Sequence, residues 1–153
     1  MSVDLVDVLQ FRRRNGGVGM MVYPFGSTTG ASLAIRASYE QVPAIRFLVT
    51  QAGSTDAYNL RDGKALDVGV GVIMSDRAPG WGLGTHSYLV GGAGRITGER
   101  GRGQRYFAEA GGGVNVGPIG VEIAMKLACN HLSDPRAHGF LTVPLTVRGT
   151  LSF

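Results

Sequence analysis

The stretch LTVPLTVRGTLSF, Leu141 to Phe153, places apolar side chains at every second position: Leu141, Val143, Leu145, Val147, Leu151 and Phe153. The intervening positions hold Thr142, Pro144, Thr146, Arg148, Thr150 and Ser152, with Gly149 in the apolar phase. A period of two over this length is a β-strand with one oily and one polar face. Such a strand serves two opposite kinds of protein. In one the oily face encloses a ligand, and in the other it meets lipid.

The same alternation recurs upstream, in residues 17–25, 31–42, 44–51, 65–75, 83–98, 104–117 and 119–130, and ends with 140–153. Turn-forming composition separates these segments: GSTTG, the link at Pro43, AGSTDAYNLRDGK, DRAPGW, ERGRG, Gly117-Pro118 and HLSDPRAHG. The spacing predicts about eight strands. A flat eight-stranded sheet leaves two open edges, which closure into an up-and-down antiparallel barrel removes. Before them, SVDLVDVLQFRRR alternates poorly because Asp7 falls among Val3, Leu5, Leu9 and Phe11. Ser2 is a helix-capping residue and Arg12 to Arg14 suit a helix C-terminus. Residues 1–16 are therefore expected to be a short helix or irregular segment, and residues 17–153 a single all-β domain.

Composition narrows the function classes. Of 153 residues, 25 are Gly, and charged residues make up only 17 %. The net charge is +4, with Arg supplying 13 of 15 basic residues, but FRRRNGG is the only dense basic run. No recognition helix or aromatic-basic platform accompanies it, so nucleic acid is not an expected partner. Cys129 is the single cysteine and cannot pair within the chain. No run approaches the roughly 18 apolar residues of a membrane helix. The opening MSVDLVDVL carries two acids where the basic region of an export signal is expected.

The polar face decides between the two kinds of barrel. Sorted by phase, one face carries Leu33, Ile35, Tyr39, Ile45, Phe47, Val49, Leu66, Val68, Val70, Val72, Met74, Tyr88, Val90, Ile96, Tyr106, Val114, Val116, Val121, Ile123, Met125 and Leu127. The other mixes Gly, Ala, Ser and Thr with charges: Arg36, Arg46, Arg95, Lys126 and Arg148 against Glu40, Asp67, Glu109 and Glu122. A solvated surface has no need of small residues. The interior of an eight-stranded barrel barely holds its own side chains, so each long one needs small neighbours. Near-balanced charge also suits an interior, where ions must be paired. These nine residues are expected to form an ion-pair network filling the lumen, with the oily face outward in lipid. Tyr23, Phe25, Tyr39, Trp81, Tyr106, Phe140 and Phe153 fall near segment ends, where interfacial aromatic girdles sit.

On these features the chain resembles the small bacterial outer-membrane β-barrel proteins, through YFAEAGGGVNVGPIGVEIAMKLA, SYLVGGAGRITG and VPLTVRGTLSF. The resemblance covers residues 17–153. It implies location in the outer membrane, contact with outer-membrane lipid or lipopolysaccharide, and recognition of the terminal strand and Phe153 by the barrel-assembly machinery. It also implies a structural, adhesive or assembly role rather than a wide pore, with self-association left open and no cofactor or metal.

NHLSDPRAHG, Asn130 to Gly139, is the only place where His, Ser and Asp cluster. It is similar to the His-x-Ser motif of the outer-membrane lipid A deacylases. That resemblance implies Ser133 as nucleophile and His131 as its base. The acid that should orient the histidine from the next strand is missing from residues 140–153, and Asp134 stands where that family has Asn. The alternatives to a structural barrel are thus a deacylase-like hydrolase and a soluble lipid-binding barrel. GGAG (91–94) and AGGGVNVG (110–117) lack a following helix and are read as strand glycines rather than phosphate loops. GERGRGQR is expected to be a basic hairpin loop, with Arg100, Arg102 and Arg105 facing anionic lipopolysaccharide.

Overall fold

The computed structural model describes residues 2–10, 13–23, 30–42, 45–51, 54–60, 63–77, 82–98, 101–133 and 140–152. Side-chain surroundings are described over 17–23, 30–42, 63–76, 82–98, 102–133 and 141–151. Phe25, Trp81, Arg100, Asp134 and Phe153, and the side chains of Arg46 and Phe140, lie outside these ranges.

The described residues are all β and contain no helix. In chain order the strands are β1 (Ser2–Gln10), β2 (Arg13–Val22), β3 (Gly30–Val42), β4 (Ile45–Gln51), β5 (Ser54–Leu60), β6 (Gly63–Arg77), β7 (Leu83–Gly98), β8 (Gly101–Val116), β9 (Ile119–Leu132), β10 (Phe140–Thr142) and β11 (Leu145–Ser152). β10 and β11 are two halves of one strand. Their register against β9 is unbroken, from Thr142 opposite Ala128 to Leu145 opposite Met125. Pro144 interrupts the ladder because it has no N–H to donate, while its carbonyl still accepts from the Lys126 amide at 3.1 Å.

The main sheet is antiparallel and up-and-down through eight strands. β1 pairs with β2, β2 with β3, β3 with β6, and then β6, β7, β8 and β9 pair in sequence. β9 pairs in turn with β10 and β11, and β11 pairs with β1. One end carries Ser2, Ser152 and the β8–β9 turn, where Gly117 has a φ of 60° that glycine adopts without strain. The other end carries the Gly98–Gly101 and Val42–Gly63 pairings.

The count of eight matches the sequence expectation, but the membership differs. Residues 2–10, expected to be helical or irregular, form β1 with hydrogen-bonded neighbours on both sides. Arg13 and Arg14, read as helix-terminal charges, instead open β2 opposite Gln10 and Leu9. Residues 45–51 are not a main-sheet strand. They pair with β5, inside what was read as a loop, in a separate two-stranded sheet. The reason is occupancy: β3 already has β2 along one edge and β6 along the other, from Gly30 opposite Ser75 to Val42 opposite Gly63.

Burial alternates along most of each long strand. On β9, Ile119, Val121, Ile123, Met125 and Leu127 are exposed, while Gly120, Glu122, Ala124, Lys126 and Ala128 are buried. β6 repeats this with Leu66, Val68, Val70, Val72 and Met74 exposed and Ala65, Asp67, Gly69 and Ile73 buried. β7 reverses the expected phase. Tyr88, Val90 and Ile96 are buried, and Arg95 is exposed. The segment LGTHSYLVGGAGRITG has apolar residues in both phases, so its own pattern is undecided. The pairing with β8, which sets Gly98 against Gly101, fixes the register and puts Val90 opposite buried Glu109 and Arg95 opposite exposed Gln104.

Candidate functional site

The buried face holds the chemistry of this molecule. Eight ionisable side chains converge there: Glu40, Asp67, Glu109 and Glu122 against Arg36, Arg105, Lys126 and Arg148. Four charges of each sign balance. Seven of the nine residues expected in the network are present. Arg95 is not, for the reason given above, and Arg46 lies outside the described side chains. Arg105 takes the place assigned to Arg95. Its alternation with Glu109 on β8 was the available signal, obscured because GERGRGQR reads as a basic loop. Arg105 is therefore not a surface cation as expected, but is only 1 % exposed.

Small residues make the room. Phe107 occupies space left by Gly69 and Gly92, where an added Cβ would sit 2.9 Å from its ring. Lys126 Nζ lies over that ring, 4.9 Å from its centroid. Tyr88 lies across Gly111, directly opposite it in the β7–β8 pairing. Met21, Ala34, Ile73, Val90, Ala124 and Ala128 pack around these aromatics. Tyr23 packs against the same cluster rather than standing on the exposed face as a girdle residue.

The ions form a continuous chain along the buried face, from His86 to Arg105. His86 Nε2 lies 3.1 Å from Glu122 Oε2, and its Nδ1 is 3.4 Å from Asn115 Nδ2. Glu122 Oε1 is 2.9 Å from Arg148 Nη1, which also lies 2.5 Å from Glu109 Oε1. The Tyr88 hydroxyl sits between the two carboxylates, 2.7 Å from each, and accepts from Arg148 at 2.7 Å. It has one proton, so it donates to one carboxylate at a time. Arg36 Nε reaches Glu109 Oε1 at 3.3 Å, and its guanidinium carbon lies 5.8 Å from the Tyr88 ring centroid. Lys126 Nζ joins three acids, 3.1 Å from Glu40 and Asp67 and 3.3 Å from Glu109. Arg105 closes the series on Glu40 at 2.6 Å and Asp67 at 3.5 Å. His86 and Tyr88 were missed by sequence reading because both sit on the strand whose phase was reversed.

His131 and Ser133 are elsewhere. Both are exposed, His131 in the exposed phase of β9 with its ring edge-on to Tyr106 at 6.3 Å. The Ser133 amide donates to the Arg102 carbonyl at 2.8 Å. Among the described residues, no hydrogen bond links His131 to Ser133, and no group of three metal-ligating side chains occurs. The glycines of GGAG and AGGGVNVG up to Val116 lie within β7 and β8.

No protein-family model, curated protein or solved structure matches the chain.

Proposed function

We propose that the chain is a closed eight-stranded β-barrel of the bacterial outer membrane, with a filled ionic lumen and a structural, adhesive or assembly role. The observation that carries this reading is the sidedness of the sheet. Val121, Ile123, Met125 and Leu127 are 45–56 % exposed, whereas the alternating Glu122 and Lys126 are 3 % and 1 % exposed. Water-soluble proteins do not turn a sheet this way, because exposing a continuous apolar wall while desolvating eight ions is unfavourable on both faces. In hydrocarbon the same arrangement is favourable. The strands suit it: β3, β6, β7, β8 and β9 have 13–16 residues, beyond the roughly 9–11 a tilted strand needs to cross. The pairing of β11 with β1 supports closure, since spanning strands leave no backbone edge unpaired in lipid. The ion pairs support a plugged interior over a pore. A soluble lipid carrier needs the opposite orientation, with the Val121 face turned inward.

The test is folding into detergent micelles or lipid vesicles followed by electrophoresis with and without boiling. The expected result is a folded band that shifts on heating. A chain that stays monodisperse and β-structured in buffer without amphiphile refutes the proposal.

A further inference from the structure

Among residues whose side chains are described, only four exposed ones are charged: Lys64, Arg95, Arg102 and Asp76. The three cations lie together at one end of the sheet, and Asp76 lies at the other. Register places them. Lys64 is opposite Thr97, and Thr97 is opposite Arg102, so the three form one row across β6, β7 and β8. The next row along is Leu66, Arg95, Gln104 and His131, and the row after that Val68, Ala93, Tyr106 and Cys129. Beyond it the exposed face is apolar or small through Val70, Ala108, Leu127, Leu89, Ala110 and Met125. Arg95 is diagonal to both Lys64 and Arg102, a separation of about 7–8 Å between backbones, which long side chains span. None of the three cations makes an ion pair with a described carboxylate. The Tyr106 hydroxyl donates to Gln104 Oε1 at 3.3 Å, holding that amide at the border of the apolar belt.

We infer that Lys64, Arg95 and Arg102, with Thr97 and Gln104, form a binding site on the outer wall for the phosphate-bearing headgroup of an anionic lipid. The inference rests on the membrane-barrel reading. Position selects the ligand. The cations begin where the apolar wall stops, which is the depth of headgroup phosphates when acyl chains cover Val68, Ala93, Tyr106 and Cys129. A guanidinium at Arg95, one row nearer the belt than Lys64 and Arg102, contacts a phosphate from below while they flank it. A soluble polyanion would gain nothing from the adjoining apolar wall. The site corrects the sequence expectation in its members, since Arg105 is buried in the ion chain and Arg95 is available instead.

The experiment uses the full chain folded into phosphatidylcholine vesicles containing traces of spin-labelled phosphatidic acid or spin-labelled phosphatidylcholine. The motionally restricted fraction of each label gives their relative association with the protein. Wild type is expected to prefer phosphatidic acid by roughly fivefold or more at low ionic strength, at about one fivefold factor for an effective near-surface cation. The K64Q/R95Q/R102Q variant is expected to show near-equal association while keeping the heat-dependent band shift, and R95K/R102K to retain most of the preference. Equal association of the two lipids with folded wild type overturns the inference and leaves the barrel reading standing. Charge-dependent retention on duplex DNA without lipid preference also overturns it. A chain that does not enter vesicles overturns both.

Discussion

Lys126 Nζ lies 3.1 Å from Asp67 Oδ2, and both side chains are no more than 1 % exposed. These residues come from β9 and β6, which share no pairing, so the contact crosses the buried space. Lys126→Met leaves Glu40, Asp67 and Glu109 with one cation fewer. Breaking a buried pair from one side is expected to cost about 3–5 kcal/mol. Denaturant unfolding in detergent checks this. The K126M/D67N double variant should recover part of the loss, with a coupling of about 1–3 kcal/mol.

Tyr88 and Gly111 form a second dependent pair. A Cβ on Gly111 would meet the Tyr88 hydroxyl oxygen at 2.5 Å and its ring carbon Cζ at 2.6 Å. Gly111→Ala must therefore push the hydroxyl off Glu109, Glu122 and Arg148, at an expected cost of about 1–3 kcal/mol. Tyr88→Phe keeps the ring but removes the bridge between the carboxylates. Its expected cost is of the same order, about 1–3 kcal/mol. Because both act through one hydroxyl, thermal unfolding of the G111A/Y88F double variant should fall short of the summed effects.

The exposed face supplies a test of its solvent. Met125 lies near the middle of the apolar run on β9, and Ile119 at its end. In a bilayer, Met125→Arg is expected to cost about 2–4 kcal/mol and Ile119→Arg about 0–1 kcal/mol. On a water-facing surface both would fall within about 0.5 kcal/mol of wild type. Unfolding titrations from lipid vesicles separate these patterns.

Hydrolysis is expected to be absent. His131 and Ser133 are both exposed and not hydrogen-bonded to one another, and His131 packs edge-on to Tyr106. Wild type and Ser133→Ala should release the same background of fatty acid from lipid A. Release by wild type alone would revive the hydrolase reading.

Sequence alternation revealed the sheet and most of the buried ion set because each of β3, β6, β8 and β9 has one clean phase. It misled where a strand has two. On β7, Leu83 and Leu89 compete with Tyr88, Val90 and Ile96, and the choice is made by register to β6 and β8, which is a tertiary fact. β1 was hidden for a related reason. Its backbone is satisfied by β2 and β11, the latter almost the whole chain away, and no local signal encodes that partner. β4 erred in the other direction, since Ile45, Phe47 and Val49 alternate well but find both edges of β3 already taken.

The most direct measurement is a scan of single spin labels along residues 119–128 in a Cys129→Ser background, folded into lipid vesicles. Relaxation is read with oxygen, which partitions into lipid, and with a water-soluble nickel chelate. The expected result is a two-residue alternation: oxygen reaches positions 119, 121, 123, 125 and 127, and both reagents are excluded from 122, 124, 126 and 128. Access of the nickel chelate to Val121, Ile123 and Met125 would contradict it.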